Sequence, residues 1–238
     1  MILLAIDSSG LTATAAVNID GVIVSYQAVN NKKTHSQTLL PMIEDVMVSA
    51  GIDINQVDAI AIAEGPGSFT GLRIGAATVK GLGLATGKPI IPVSTLEGLA
   101  YNMAGCKGVI CPIMDARRNQ VYTALFYYNP DSEQMVQLAP SEAIGIEELI
   151  ARNIKYDEIT FVGDGVPVFR EYLTEQLGEK AHFAMPHMRL QSAASISVAA
   201  SFLWKEKKYV SAKEFEPVYL RLSQAEREKL EAKRNNKG

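Results

Sequence analysis

An α/β protein built twice on one plan is what this sequence predicts, and three observations predict it. Apolar strand runs and helical-period segments succeed one another as strand, strand, strand, helix, strand, helix, strand, helix over the first hundred residues. That grammar restarts at Val109 to Met114, an apolar run that ends at Asp115 as Ile2 to Ile6 ends at Asp7. The stretch from Asp157 to Gly165 then echoes Asp58 to Gly65. A three-strand meander followed by helix-linked strands makes a mixed sheet with helices on it, of the ribonuclease-H-like kind. The expected organisation is an N-terminal subdomain over residues 1–104, a C-terminal one over 105–222 with a cleft between them, and a charged tail over 223–238.

Each element has its own local reason. Ile2 to Ile6 is a buried-strand run, and Thr12 to Ile19 and Val22 to Val29 flank Asp20-Gly21, the pair a type I′ hairpin turn requires. From Ser36 to Ala50 apolar residues return at helical spacing, and Gly51 closes the helix. Val57 to Ala63 reads as a strand, Thr70 to Thr86 as a helix closed by Gly87, and Ile90 to Val93 as a strand. Ser94 is placed to cap a helix over Thr95 to Met103, with Glu97 as its capping-box partner. In the second half, strands are expected at Val121 to Tyr128 and Gln134 to Leu138, around Asn129-Pro130-Asp131. Helices are expected at Ile146 to Asn153, Val168 to Leu177 and Ser192 to Lys207.

Composition narrows the function classes. Of 238 residues 47% are hydrophobic and 21% charged, and the net charge of −3 gives no overall basic field for tight nucleic-acid binding by the chain alone. Two cysteines, Cys106 and Cys111, are too few for a zinc cage or a disulfide framework. No apolar run reaches the roughly 18 residues that span a bilayer, and no secretory pattern precedes Asp7, so a cytoplasmic protein without membrane contact is expected. His35, His182 and His187 are scattered and match no metal-binding spacing, and no G-x-S-x-G elbow is present for a serine hydrolase.

Two loops could carry chemistry. Asp7-Ser8-Ser9, at a strand end before a hairpin, is where actin-like folds grip a nucleotide phosphate. The alternative is a turn in which these side chains satisfy local backbone groups. Asp115 with Arg117 and Arg118 follows a buried strand and could face the cleft, binding phosphate or a carboxylate. A structural pairing of Asp115 with an arginine is the competing reading.

The run from Gly65 to Gly75 (Gly-Pro-Gly-Ser-Phe-Thr-Gly-Leu-Arg-Ile-Gly) is neither a P-loop nor a dinucleotide fingerprint. It opens a helix on which only Arg73 and Lys80 carry charge and in which Gly75, Gly81 and Gly83 each cost roughly 1 kcal/mol against alanine. Such a helix is expected to be covered on two sides, by its own sheet and by a neighbouring helix or a second chain, with the small residues permitting close approach. Burial inside one large monomer is the alternative. On the preceding helix the apolar residues span an arc of about 160°, wider than one core contact needs. The expected contact residues are Leu39, Met42, Ile43, Val46 and Met47 on the first helix. On the second they are Thr70, Arg73, Ile74, Ala77, Thr78 and Gly81. Charge placed there, as in Gly75→Arg or Ala77→Glu, is expected to block assembly without unfolding.

Five pieces resemble the bacterial TsaB (YeaZ) family: residues 6–9, 35–41, 64–75, 93–99 and 115–118, the last reading Asp115-Ala116-Arg117-Arg118. The resemblance is firm from residue 1 to about 128. It implies an actin-like, sugar-kinase-like duplicated fold. It also implies a non-catalytic dimerisation subunit in the making of threonylcarbamoyladenosine, beside the anticodon of tRNA. The implied partners are a TsaD-type catalytic subunit and a TsaE-type ATPase, with a homodimer when alone and tRNA met only through the complex. In TsaD the stretch like Val93 to Leu99 carries two metal-holding histidines, where Thr95 and Leu99 stand here. No cofactor is implied, ATP being handled by the partners, although Asp7, Ser8 and Ser9 leave a vestigial nucleotide loop with weak binding. The competing function is an ATP-dependent small-molecule kinase of the actin-like fold. A metalloprotease rests on an old family name alone.

Overall fold

A computed structural model describes residues 1–31 and 34–221. The expected charged tail at 223–238 lies outside the described residues. The first sheet contains β1 (Ile2–Asp7), β2 (Ala13–Ile19), β3 (Val22–Val29), β4 (Ala59–Gly65) and β5 (Ile90–Ser94), in the order β3-β2-β1-β4-β5. The second contains β6 (Val109–Asp115), β7 (Gln120–Asn129), β8 (Gln134–Gly145), β9 (Ile159–Val162) and β10 (Ala181–Phe183), in the order β10-β9-β6-β7-β8. Read from the meander edge, the two orders are identical, which is the duplicated mixed-sheet architecture. β1 runs antiparallel to β2 and parallel to β4, as β6 does to β7 and β9.

Among the described residues six α-helices cover the sheets: α1 (His35–Ala50), α2 (Phe69–Thr86), α3 (Thr95–Tyr101), α4 (Ile146–Asn153), α5 (Val166–Leu177) and α6 (Ala193–Lys205). Turn chemistry sets the registers. Asp20 and Gly21 have φ of 51° and 89°, the two left-handed residues of the β2–β3 hairpin, and Gly51 ends α1 at φ 67°. The capping box expected at Ser94 does not form. Ser94 makes no side-chain cap bond, its hydroxyl is buried without a partner, and Glu97 is itself half-buried. β8 runs seven residues past its expected end, through Pro140. As the edge strand it can accept a residue that donates no hydrogen bond.

The core forms three clusters. α1 and α2 seal one face of the first sheet over Leu4, Ile6, Ile60 and Ile62. α4 and α5 do the same for the second over Cys111, Ile113, Val121 and Phe161. The third cluster lies between the sheets, where α3 and α6 pack Leu96, Leu99, Ile196 and Ala199 against Ala5 and Ala61 on one side and Ile110 and Phe126 on the other.

The chain does not keep its two halves in separate segments. α6 returns to the first sheet: Asn18 Nδ2 donates to Ser197 Oγ at 2.9 Å, and the Ala193 N–H donates to Thr14 Oγ1 at 2.8 Å. The strap after it, residues 209–221, bridges Val210 to Ile90, buries Ala212 and Phe215 in the first core, and donates the Val218 N–H to the Glu64 carbonyl. A boundary at residue 104 therefore separates the sheets but not the residues that pack on them.

Candidate functional site

The ends of β1 and β6 and the start of α2 meet at a cleft of about 380 Å³ between the two halves. Its lining includes Ser9, Gly10, Ser68 and Phe69 from the first half and Asp115, Arg117, Tyr122 and Asp164 from the second, with Arg221 from the strap.

On the first side the expected nucleotide loop is largely occupied with itself. Asp7 is fully buried, and its Oδ1 accepts from the Ser9 N–H at 2.8 Å and from Ser9 Oγ at 2.6 Å. Burial raises its pKa to about 6, against the two Ser9 hydrogen bonds and the charge of His35, which favour the anion. Ser8 Oγ donates to the Gly71 carbonyl at 2.9 Å, and the Ser68 N–H donates to the Ser9 carbonyl at 2.6 Å. This is the local-turn arrangement, with the serine loop pressed against the first turn of α2. Among Asp7, Ser8 and Ser9 only Ser9 lines the cleft.

The α2 glycines explain that contact. A Cβ on Gly67 would overlap the Ser9 carbonyl, one on Gly71 the Ser8 carbonyl, and one on Gly75 the Ser8 hydroxyl. At Gly83 it would come 2.8 Å from Ala212 Cβ in the strap, whereas at Gly81 it would meet nothing within 4 Å. Close approach is thus made mainly to the protein's own loop and strap. The expectation that Gly75 and Gly83 serve a second chain is corrected, and Gly75→Arg belongs with variants that damage the fold.

On the second side Asp115 closes β6 and supports the tip of the β6–β7 hairpin. Its Oδ1 accepts the Arg117 N–H at 2.8 Å, its Oδ2 lies 3.5 Å from Arg117 Nη1, and its own N–H donates to Asp164 Oδ1 at 3.1 Å. Burial raises the Asp164 pKa. Arg117, Arg118 and Asn119 sit consecutively at φ of 66°, 57° and 56°. Left-handed backbone costs a non-glycine residue of order 1 kcal/mol or more and persists only where neighbours hold it. Here Arg221 Nη1 donates to the Ala116 carbonyl, and the Ile146 N–H donates to the Asn119 carbonyl at 3.0 Å. The sequence placed Asp115 and Arg117 at the cleft. Arg118, expected beside them, does not line the cleft, and the sequence carried no sign of Tyr122 in the same hairpin, or of Asp164 and Arg221, which come from a loop and a strap distant in the chain.

The helix contact residues divide. Leu39, Met42, Ile43, Val46 and Met47 are 1–7% exposed and pack on the first sheet, so they are core residues; Ile43 and Met47 also reach the floor of a groove of about 320 Å³ beside Leu82. Leu40, also part of the wide apolar arc, faces out and is more than half exposed, as is Val48 outside the arc. On α2, Thr70, Arg73, Ala77 and Gly81 are exposed, and Ile74 and Thr78 are half-buried. The strap covers one flank of α2, with the Tyr219 ring tilted 31° against Phe69 at 4.3 Å and residues 209–214 beside Leu84, while the flank carrying Ala77 and Gly81 stays open. Thr95 and Leu99 lie in the core at 0% and 1% exposure.

The sequence model of the family described as "TsaD: tRNA N6-adenosine threonylcarbamoyltransferase" matches residues 23–229. The curated tRNA threonylcarbamoyladenosine biosynthesis protein TsaB of Bacillus subtilis is 30% identical over 235 residues, which is 98% of this chain and 100% of that protein. Its Escherichia coli counterpart is 30% identical over 93% of this chain and 95% of its own. A crystal structure from Pseudomonas aeruginosa, described as an uncharacterized protein with similarity to peptidase YEAZ, superposes with a TM-score of 0.80. It is 27% identical, over 92% of this chain and 99% of that one.

Proposed function

The chain belongs to the TsaB family of tRNA threonylcarbamoyladenosine biosynthesis proteins, and from that membership we propose that it works as the non-catalytic scaffold of a threonylcarbamoyl-transferring assembly. Its partners are a TsaD-type catalytic subunit and a TsaE-type ATPase, in the cytoplasm where tRNA is modified, and it pairs with itself when they are absent.

The observation that carries this reading is the open flank of α2 beside α1. Ala77 and Gly81 are exposed there and let another backbone come close, and Leu40 and Val48 on α1 and Leu84, on the strap side of α2, are each more than half exposed. The chemistry at the head of α3 supports the same view. Thr95 offers one neutral hydroxyl and Leu99 offers no donor atom, so neither side chain supplies the imidazoles that the TsaD pattern has there. The kinase reading finds less support in the cleft, since Asp7 and Ser8 are engaged inside the fold and only Ser9 reaches it.

Reconstitution tests the proposal. Transfer of the threonylcarbamoyl group to unmodified tRNA is measured with the catalytic subunit and the ATPase, with and without this chain. The expected result is loss of transfer when it is omitted; undiminished transfer in its absence rejects the scaffold role.

A further inference from the structure

We propose that the strained β6–β7 tip and the aromatic–arginine cluster beside it form a contact surface for unpaired RNA, holding its phosphates. The surface deepens the assembly reading, because it gives the scaffold a contact of its own with the nucleic-acid substrate.

Arg117 and Arg118 occupy consecutive left-handed positions, and the backbone around them is pinned by Asp115, by Arg221 and by the Ile146 N–H. A tip held rigid in an unfavourable conformation presents its side chains at fixed positions. The Arg117 side chain is 87% exposed, Arg118 is exposed, and Arg118 has no ion pair among the described residues. Next to the tip, Arg73 lies 4.1 Å over one face of the Phe69 ring and Tyr219, 39% exposed, lies tilted 31° across the other at 4.3 Å, so Tyr219 is the ring of this cluster left open to a base. Phe69, Arg117 and Arg221 line one cleft. Both carboxylates of that cleft are already engaged, Asp115 with Arg117 and Asp164 with the Asp115 N–H. Guanidiniums interleaved with flat rings match the alternation of phosphate and base in a single strand. An acidic protein surface offers charge without the flat faces. The net charge of −3 keeps this contact from acting as a general nucleic-acid trap.

The test uses the reconstituted assembly and fluorescein-labelled unmodified tRNA, titrated by anisotropy across a series of KCl concentrations. With R117Q/R118Q the affinity is expected to fall roughly tenfold and the log–log salt slope to shrink by about 1.5 to 2; with R118Q alone, which keeps the Asp115 pair, the slope shrinks by about 1. Unchanged affinity and slope in both variants overturn the proposal. So does loss of co-elution with the catalytic subunit at unchanged slope, which would assign the tip to an acidic protein partner. If the wild-type assembly does not form, the scaffold reading fails on its own terms. The chain alone is then titrated with a labelled single-stranded RNA and with the same RNA as a duplex. A preference for the single strand that R118Q removes upholds the RNA contact, and no preference overturns it.

Discussion

Gly75 and Gly81 lie on one helix six residues apart and have opposite reasons for being glycine. At Gly75 an added methyl meets Ser8 Oγ, with Ile62 Cδ1 3.1 Å away; at Gly81 it meets nothing within 4 Å. Gly75→Ala is expected to lower stability by about 1–3 kcal/mol despite the gain in helix propensity, because a packed loop must shift. Gly81→Ala should raise it by roughly 0.5–1 kcal/mol. Urea denaturation of the two variants measures both, and equal effects would remove the packing explanation. The pKa of buried Asp7, raised to about 6 by desolvation, gives a second prediction. Between about pH 4 and pH 6 the native state binds the proton that the unfolded chain has released. Stability therefore falls as pH rises through that window, by roughly 2–3 kcal/mol for a shift of this size. Asp7→Asn keeps an acceptor for Ser9 and should flatten that part of the pH profile. A profile as steep as wild type would place the buried charge elsewhere. The sequence showed that Asp7 ends a strand beside serines, but a one-dimensional pattern does not tell a carboxylate facing a ligand from one turned onto its own loop.

At the scale of elements, periodicity located strands β1 to β5 and helices α1 to α3, because each follows from apolar spacing, and α1 and α2 stop at Gly51 and Gly87, both in the left-handed region. What it did not resolve was which part of a wide apolar arc faces inward. On α1 the arc contains Leu39, Met42 and Val46 facing the sheet and Leu40 facing out, and only the sheet's position separates them. Pairing with β7 extends β8 to Gly145 although Pro140 and its polar neighbours argue for an earlier stop. The open flank of α2 carries its own prediction. Ala77→Glu places a charge on exposed surface, so the thermal midpoint should stay within about 2 °C of wild type. Co-elution with the catalytic subunit, and self-association of the chain alone, should be lost. A variant that still co-elutes at wild-type yield would show that this flank is not the contact.

Across the whole molecule the internal echo between residues 58–65 and 157–165 was enough to find the duplication, since two segments under the same packing demands keep the same pattern. The return of α6 and the strap to the first sheet was not legible, because that pairing depends on distant backbone groups such as Val210 with Ile90 and Val218 with Glu64. Its consequence for folding is measurable. A fragment ending at residue 104 lacks α6, Ala212 and Phe215, and so exposes one face of its own sheet. It should show no cooperative urea transition, while the full chain shows one. In the full chain Phe215→Ala should cost about 3–5 kcal/mol, as for a large aromatic removed from a core. A fragment that melts cooperatively would mean that the strap adds little.

The strap also makes a mechanical connection. It is anchored along the first sheet, grips Phe69 through Tyr219, and reaches the opposite hairpin through Arg221 and Ala116. Folds of two lobes around a cleft commonly work by swinging one lobe against the other. Here such a swing must first break a tie rod that spans the gap, and the same rod is bolted to the helix on which a partner would dock. A subunit seated on that helix would meet an abutment with its angle already set.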